Sequence, residues 1–374
     1  MSEQGEPVVS IVKLALEKKL ISQKHVDQCI DLVKKSKNIG LETTHEEVLV
    51  KQGILSEEQI QDLRDMCQMA EGGTVFGVYR LGRLIGQGGM GKVYEAVHEV
   101  MGRSVAIKVV STKFTEDKNN TVRFYQEIRA LAKLNHPNIV IIYDAGKVNR
   151  RHYFAMELLS GLSLKAYVDS KTFLAEKEAL KITRATARAL GHAHAKSVIH
   201  RDVKPENIIF DANNAPKLTD FGLVMHYDTD HMTLTQEGMM VGSFHYASPE
   251  QVDGRRDIDG RSDIYSLGAT MYYMLAGRTM YTGGSPQELL SKHLKGRYVS
   301  PKQYNPSVTG HTLRILRKML MVNREKRFQS MEQVIDAIER PSLRSKIIMA
   351  AYTALAGALL FFVGTLMQRF MHIF

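Results

Sequence analysis

Two features of this 374-residue chain are suited to binding phosphate. Gly86–Val93 (GQGGMGKV) lies between two runs of strand-forming residues. Ordinary loops and dinucleotide-binding folds carry similar glycines, but the dinucleotide fingerprint leads from a strand into a helix. A position between strands instead predicts a hairpin whose backbone amides lie over phosphates. Lys108 follows at the end of Val105-Ala106-Ile107. A lysine at a strand end usually points into solvent, whereas here its ammonium would counter phosphate charge.

A glutamate follows on the next predicted helix, Arg123–Leu134. Phe124, Ile128 and Leu131 form the apolar face of this helix, so Glu127 is placed to orient the lysine. An exposed helical charge is the alternative for Glu127 alone. The stretch HPNIV at residues 136–140 favours the functional interpretation.

The densest group of functional side chains is His200–Asn207 (HRDVKPEN), followed thirteen residues later by Asp220-Phe221-Gly222. With these ordered motifs the chain resembles eukaryotic-type (Hanks-type) protein kinases. The resemblance covers about residues 79–340, and SPEQ at Ser248–Gln251 and DIYSLG at Asp263–Gly268 extend it. Together with an apolar C-terminal segment, the chain is most similar to bacterial membrane-anchored Ser/Thr protein kinases.

The resemblance implies catalytic roles for Asp202, Lys204, Lys108 and Glu127, and metal-binding roles for Asn207 and Asp220. Asp202 would orient the substrate hydroxyl and accept its proton. Lys204 would lie beside the transferred phosphate, as in Ser/Thr rather than tyrosine kinases. Asn207 and Asp220 would bind Mg²⁺ (or Mn²⁺) through hard oxygen ligands.

The resemblance also implies an ATP site. Lys108 would hold the α- and β-phosphates, with Glu127 fixing its direction. Val93 and Ala106 would enclose the adenine ring, whose edge would bond the backbone of Glu157–Leu159. The expected nucleotide-contacting residues are Ile85, Gly86, Gly88, Gly91, Val93, Ala106, Lys108, Glu157 and Leu159.

Regulatory and structural roles follow from the same resemblance. Arg201 would pair with a phosphate on the activation segment, where Thr233 and Thr235 resemble the phosphorylated pair of bacterial relatives. Ser243 stands where the family usually has Thr and keeps the hydroxyl that bridges the catalytic Asp and Lys. Glu250 with Arg327 would form the family's buried ion pair, and Asp263 would support the catalytic loop.

The elements needed to position these residues are readable from periodicity. Strands are predicted at residues 79–85, 93–98, 104–109, 139–145 and 153–156, and a mostly helical stretch at residues 164–338. This pattern predicts a small β-rich lobe and a large helical lobe with a cleft between them. The resemblance implies that the two lobes form the α+β, bilobal protein kinase fold over residues 79–340.

Residues 1–72 are predicted to be a helical docking or regulatory module, and a passive extension is an equal alternative. A repeat of 34 residues relates Leu20-Ile21-Ser22 with Val26 to Ile54-Leu55-Ser56 with Ile60. Each serine is placed to cap a helix, and Ser56 with Gln59 matches a capping box. The arrangement resembles small helical modules at the N-termini of some bacterial secretion ATPases.

Residues 347–367 are 21 residues without a charge, enough for a helix of about 31 Å. They are predicted to form a transmembrane helix, making the protein a single-pass protein of the cell (inner) membrane. Arg340, Arg344 and Lys346 precede the span and Arg369 follows it, which predicts a cytoplasmic kinase domain. Small residues spaced by four, Ala350, Ala354 and Ala358, favour a homodimer through the span.

Charge and cysteine content limit the other function classes. The chain has 50 Lys+Arg and 40 Asp+Glu, net +10, and residues 1–72 are net −4. The basic surface is expected to meet ATP and anionic lipid, since no nucleic-acid-binding motif is present. Two cysteines, Cys29 and Cys67, exclude a disulfide-built scaffold and are predicted to be buried. The alternative to an active kinase with protein Ser/Thr substrates is a membrane-anchored pseudokinase scaffold, which retention of Lys108, Asp202 and Asp220 disfavours.

Overall fold

The computed structural model describes residues 8–38, 40–57, 59–60, 63–64, 67, 75–88, 91–111, 118–221, 244–283 and 285–340. The chain divides into two compact units. The first unit comprises Met1–Tyr125 and Ile142–Leu158, and the second comprises Gln126–Ile141 and Leu159–Phe374. The predicted span at 347–367 lies outside the described residues. Among those described, no helix is both long enough and apolar enough to cross a membrane.

The first unit begins with helices α1 (Val8–Glu17), α2 (Gln23–Asn38) and α3 (His45–Lys51). Further helical positions occur between residues 57 and 67. These helices share an apolar core of their own, whose most buried members include Ala15, Leu49 and Leu63. Both cysteines are free and buried in that core, as predicted.

The turns that follow α1 and α3 have the same backbone conformation at positions 34 residues apart. Lys19 and Gly53 both have positive φ angles, +56° and +65°. Beyond them, the amide of Leu20 donates to the Ala15 carbonyl at 3.0 Å, and the amide of Ile54 donates to Leu49 at 2.9 Å. Both helices therefore end in the same left-handed turn.

The second helix of each copy starts at the predicted serine. The His25 amide donates to Ser22 Oγ at 3.4 Å. The Gln59 amide donates to Ser56 Oγ at 3.1 Å, and the Ser56 amide donates to Gln59 Oε1 at 2.8 Å. The predicted capping box at Ser56 is therefore present.

A six-stranded antiparallel sheet completes the first unit, in the order β1-β2-β3-β4-β6-β5. Its strands are β1 (Val75–Phe76), β2 (Tyr79–Gly88), β3 (Gly91–His98), β4 (Ser104–Val110), β5 (Ile142–Val148) and β6 (Arg151–Glu157). One face packs as an apolar core that includes Tyr79, Leu81 and Ile107. The hydroxyls of Tyr79 and Tyr153 both donate to Asp144 Oδ2, at 3.0 and 2.9 Å.

Helix α4 (Lys118–Leu131) follows β4, and its Phe124 and Tyr125 belong to the first unit. Both rings pack on His152 of β6, and the Tyr125 hydroxyl lies 2.9 Å from His152 Nδ1. The start of the helix is thereby fixed against the sheet.

The second unit is mainly helical. Its further helices are α5 (Leu164–Lys171), α6 (Glu176–His194), α7 (Pro249–Val252), α8 (Gly260–Ala276), α9 (Pro286–Lys295), α10 (Gly310–Met319) and α11 (Met331–Glu339). Helix α8 is buried from Ser262 to Ala276 and packs against α6 and α10. A Cβ at Gly268 would lie 2.9 Å from Met319 Cβ, so α8 and α10 approach closely at a glycine.

A short hairpin interrupts the helices of this unit. Strands β7 (Ile208–Phe210) and β8 (Pro216–Leu218) pair antiparallel. Leu218 also forms a parallel bridge with Ile139. The predicted strand at residues 139–145 is therefore wrong at its start, because Ile139 pairs with β8 in the second unit and sheet pairing in the first unit begins at Ile142.

Candidate active site

The loop His200–Asn207 connects α6 to β7, and its backbone is bound by the buried carboxylate of Asp263. Asp263 lies in the first turn of α8 and is fully buried. Its Oδ2 accepts from the His200 amide at 2.9 Å, and its Oδ1 accepts from the Arg201 amide at 2.8 Å. Its Oδ2 also lies 2.7 Å from His194 Nε2. The predicted support role of Asp263 is confirmed.

The protonation of His200 follows from its neighbours. Its Nδ1 accepts from the Asp202 amide at 3.2 Å, which leaves Nε2–H to donate to the Thr219 carbonyl at 2.9 Å. Complete burial lowers the pKa of this imidazole, although Asp263 opposes the shift. A neutral imidazole therefore ties the loop to the strand end before Asp220.

Two polar side chains meet at Asp202. The Lys204 ammonium donates to Asp202 Oδ2 at 2.6 Å. The Asn207 amide group donates to the same oxygen at 3.0 Å and to the Asp202 carbonyl at 2.8 Å. Both of these contacts use Oδ2 and fix the orientation of the carboxylate. Among the described residues, none bonds Oδ1, the oxygen that the substrate hydroxyl would use. The structure thus brings together Asp202, Lys204 and Asn207.

Asp220 is connected to this cluster through its neighbours. The Thr219 amide donates to the Asn207 carbonyl at 2.8 Å. The Phe221 ring packs on His200 with a centroid distance of 4.5 Å. Asp220 itself has φ +52°, a left-handed conformation that non-glycine residues rarely adopt. The strained backbone is held by the contacts on both sides.

The donor set around Asp202 fits a divalent cation. The Asn207 Nδ2 group donates both of its hydrogens to Asp202. Asn207 Oδ1 is therefore the side-chain atom that remains for a metal ion. Asp220 supplies a carboxylate. Mg²⁺ commonly takes one or two protein oxygens and fills its other positions with water and phosphate. Asn207 and Asp220 therefore supply the one or two protein oxygens that Mg²⁺ takes.

Arg201 has an unusual environment. Its φ is +66°, and its carbonyl accepts from Gln251 Nε2 at 2.7 Å. Burial lowers the pKa of its guanidinium, and the nearby Glu127 and Asp263 carboxylates oppose that shift. Within the second unit, Glu127 therefore acts electrostatically on Arg201, an interaction that the sequence did not predict.

A buried ion pair joins Glu250 of α7 to Arg327. The Arg327 guanidinium donates to both oxygens of Glu250, at 2.6 and 2.7 Å, which confirms the predicted pair. Ser262 donates to Glu250 Oε1 at 2.7 Å, and Ser248 Oγ lies 2.9 Å from Ser262 Oγ. Ser248, which replaces the family's usual alanine, therefore extends the network.

The glycine-rich segment of the first unit forms the predicted hairpin. Gly86 pairs with Val93 and Gly88 pairs with Gly91 across β2 and β3. Gly91 has φ +149°, and a Cβ there would lie 2.0 Å from the Val109 carbonyl. No larger side chain fits at Gly91 without moving β4.

One face of the sheet carries the residues assigned to the nucleotide. Val93 pairs with Lys108 across β3 and β4, and Ala106 pairs with Met156 on β6. Cross-strand partners lie on the same face of a sheet, and so do residues two positions apart on one strand. The side chains of Val93, Lys108, Ala106 and Met156 therefore share one face. Ile85 on β2 is 41% exposed. Glu157 ends β6 in the first unit, and Leu159 begins the second.

Sequence reasoning missed three positioning residues: His194, Thr219 and Gln251. The Gln251 signal was present, because its place three residues after Ser248 also gives the capping box at α7. His194 and Thr219 carry no local signal, since each acts on residues distant in sequence. The predicted regulatory residues Thr233, Thr235 and Ser243 lie outside the described residues.

Comparison with known proteins agrees with this geometry. Residues 79–337 match the protein kinase domain. The chain is 36% identical over 266 residues to serine/threonine-protein kinase PrkC of Bacillus subtilis, covering 71% of this chain and 41% of that protein. It is 36% identical over 272 residues to serine/threonine-protein kinase PknA of Mycobacterium tuberculosis, covering 71% and 62%. The chain thus spans less than two thirds of either relative.

A similar fold is found in a crystal structure of the Mycobacterium tuberculosis PknI kinase domain. The TM-score is 0.57 at 26% identity, over 71% of this chain and 96% of that one. The family match extends over more than half of the sequence and contains the Asp202, Asn207 and Asp220 cluster. This chain therefore belongs to the protein kinase family.

Proposed function

We propose that the chain is a Ser/Thr protein kinase that transfers the γ-phosphoryl group of ATP to Ser/Thr hydroxyls of proteins. The observation that carries this proposal is the fixed Asp202 carboxylate, with Oδ2 bound by Lys204 at 2.6 Å and by Asn207 at 3.0 Å. A general base must be held in one orientation within reach of the proton that it takes. The arrangement meets that need for a substrate hydroxyl at Oδ1.

The residues divide the chemistry between them. Asp202 orients the hydroxyl and accepts its proton as the new oxygen–phosphorus bond forms. The bond between the γ-phosphorus and its bridging oxygen breaks at the same time, and ADP leaves. Lys204 places a positive charge beside the carboxylate and the transferred group, whose equatorial oxygens carry the negative charge. Asn207 and Asp220 would hold Mg²⁺ or Mn²⁺, which would neutralise phosphate charge.

The nucleotide is assigned to the sheet face of the first unit. Backbone amides of Gly86, Gly88 and Gly91 would cover the phosphates, and Lys108 would neutralise two of them, with Glu127 as the residue assigned to orient it. Ile85, Val93 and Ala106 enclose the adenine. Glu157 and Leu159 bond its edge through their backbone.

The test is phosphoryl transfer by the purified full chain to a Ser/Thr-containing protein. Asp202→Asn keeps the size of the side chain but removes the base, and should slow transfer by about 10²–10⁴-fold. Asp211→Asn, a conservative change in the β7–β8 turn, serves as the matched control and should retain full turnover. Full activity of the Asp202 variant would contradict the proposal.

Activation is assigned to autophosphorylation at Thr233 and Thr235. A phosphothreonine adds about −1.5 to −2 charges, which can form charge-assisted bonds with Arg201. Ser243 would bridge Asp202 and Lys204 in the ordered segment. Mass spectrometry of the active protein should find both threonines phosphorylated, and their joint replacement by Ala should strongly lower activity.

The remaining parts of the chain are assigned to location and regulation. Residues 347–367 would anchor the protein in the cell membrane with the kinase domain in the cytoplasm, and the span would support a homodimer. Residues 1–72 would dock a substrate or regulate the kinase. The uncharged length of the span and the separate apolar core of the first helices support these assignments.

A further inference from the structure

The positive charge of the chain is concentrated in one segment. Residues 289–323 contain seven Lys or Arg and no Asp or Glu, against a net charge of +10 for all 374 residues. The segment comprises most of α9, a 3₁₀ turn at Pro301–Gln303, and α10. A one-sided run of this length creates a strong local field that a typical mixed surface lacks.

Helix α10 displays its charges on one side. Arg314, Arg317 and Lys318 are exposed at helical spacing. The opposite side, including Ile315, is buried and packs toward α8 and α11. The polar side of α10 is therefore entirely basic.

The end of α9 lies against the end of α10. A Cβ at Gly296 would come within 2.5 Å of Val322 Cγ2. Burial raises the pKa of the Tyr298 phenol, and the neighbouring Arg317 guanidinium opposes this shift. Lys295 and Arg297 are exposed on either side of Gly296. Lys295, Arg297, Arg314, Arg317 and Lys318 thus form one surface, called here the basic patch.

Apolar side chains are exposed among these charges. Leu294 is 46% exposed, Val299 44% and Met321 36%. The Val299 backbone is fixed, because its carbonyl accepts from the Tyr272 hydroxyl at 2.9 Å. Isolated exposed apolar residues are ordinary, but three within a basic surface are typical of proteins that lie at a lipid interface.

The charges of the basic patch are not neutralised within the described part of the chain. No carboxylate there lies within 4.0 Å of its five cationic groups, whereas Lys292 nearby is paired with Glu288. Glu176 reaches the N-terminus of α10, where it accepts from the hydroxyls of Thr309 and Thr312. That carboxylate serves the helix start, so the patch keeps its net charge.

We infer that the basic patch binds the anionic lipid surface of the membrane in which the chain is anchored. This inference rests on the proposed anchor. The uncharged segment starts seven residues after Arg340, at most about 25 Å of extended chain. Arg340 follows α11, which packs on α10. The kinase domain is thereby confined near the lipid headgroups, where basic residues are attracted and apolar ones can insert.

The inference is tested on the full chain in nanodiscs, with a fluorophore on Val299→Cys and a nitroxide quencher on the lipid headgroups. Cys29 and Cys67 are buried but react when their helices open, so both are replaced by Ala in the labelled chain. Discs of phosphatidylcholine alone are compared with discs containing about one third phosphatidylglycerol. Quenching should be about fivefold greater in the anionic discs and should fall at high salt.

Two charge-matched variants identify the surface. Lys295→Glu, Arg314→Glu and Arg317→Glu together should abolish the difference between the discs. Lys177→Glu, Lys181→Glu and Lys326→Glu change the charge equally on exposed positions outside the patch and should leave the difference intact. Kinase activity toward a soluble substrate should be the same in both variants.

Failure of the anchor and failure of the patch give different results. If the chain does not co-elute with the discs, the anchor is wrong, and the patch is then tested with anionic vesicles added to the same labelled chain. Equal quenching in neutral and anionic lipid overturns the inference. The inference is also overturned if the label is quenched only after an acidic protein or a second copy of the chain has been added.

Discussion

Asp263 holds the backbone of the loop that carries Asp202, the proposed general base. Burial alone would raise the pKa of this carboxyl, but His194 and the His200 amide hold it below its usual value. It remains ionised while it accepts two backbone amides of the catalytic loop. Charge-assisted bonds of this kind are stronger than neutral ones. The strained φ of Arg201 is stable because these bonds hold it.

We predict that Asp263→Asn slows turnover by about 10–100-fold, because a small displacement of Asp202 weakens a positioned reaction strongly. The KM for ATP should change little, since Asp263 bonds the backbone of the loop in the second unit and the nucleotide is assigned to the sheet of the first unit. Steady-state kinetics of the full chain separate the two quantities. Asp336→Asn, on the exposed side of α11, is the matched control. A normal kcat for Asp263→Asn would show that the loop is held by other contacts.

Motif spacing identified the residues to which the proposed chemistry is assigned, because the reaction restricts their types. Asp202, Lys204 and Asn207 were identified and do meet in the structure. The residues that hold them were harder to find. His194 and Gln251 reach the loop from α6 and α7, and only three-dimensional packing brings those contacts about.

At the scale of elements, the pair of Glu250 and Arg327 joins α7 to the segment that follows α10. Arg327 also donates to the Met321 and Arg261 carbonyls, at 2.7 and 2.8 Å. Removing one partner of such a buried pair leaves the other charge without compensation. The pair is therefore critical once it is present, whatever its net contribution to stability.

Arg327→Ala should lower the free energy of unfolding by about 3–5 kcal/mol, measured by urea denaturation. Arg340→Ala, at an exposed position, should change it by less than about 0.5 kcal/mol. An Arg327 variant as stable as this control would contradict the argument.

The drop in the free energy of unfolding caused by Arg327→Ala should depend on pH, because Glu250 is an ionisable partner of Arg327. Burial opposes ionisation of Glu250, but Arg327 and Ser262 bring its pKa below the ordinary value. A carboxylate with a lowered folded-state pKa stabilises the fold above its unfolded pKa, and the contribution is lost as pH falls through the folded value. The difference between wild type and Arg327→Ala should shrink as pH falls below about 5.

The 34-residue repeat supports a comparison between its two turns. Lys19 occupies a left-handed position where the second copy has Gly53. Lys19→Gly should stabilise the N-terminal helices by about 0.5–1 kcal/mol, and Gly53→Ala should destabilise them by about 1 kcal/mol. The labelling rates of Cys29 and Cys67 report opening of these helices and should change by up to about fivefold.

Gly102→Ala provides the control for this prediction. Gly102 also has a positive φ, +63°, but lies in the turn between β3 and β4. Its replacement should leave the labelling of both cysteines unchanged. Equal labelling in the Lys19, Gly53 and Gly102 variants would show that the turns do not limit opening of the helices.

Long, periodic elements were predicted well and short ones were not. The strand expected at residues 104–109 is observed as Ser104–Val110. The two-residue β1 and the three-residue β7 and β8 were missed, because so few residues show no periodicity. Ile139 was misassigned for a related reason, since its apolar character is the same whichever strand it pairs with.

At the scale of the whole molecule, charge is distributed unevenly along the chain. Residues 1–72 are net −4, whereas residues 289–323 carry seven basic residues and no acidic one. The acidic part belongs to helices with their own apolar core, and the basic part belongs to the second unit. Composition alone gave the net charge, but only the structure placed the basic residues of α9 and α10 on one surface.

The same asymmetry governs the expected topology. Arg340, Arg344 and Lys346 precede the uncharged segment and Arg369 follows it, so the positive-inside rule predicts that the kinase domain faces the cytoplasm. Binding of the basic patch to anionic lipid would act in the same direction, because the cytoplasmic leaflet carries the negative surface potential. Protease added to intact spheroplasts should leave the kinase domain uncut, while the same protease after detergent lysis should digest it. Cleavage before lysis would place the domain outside and contradict the orientation.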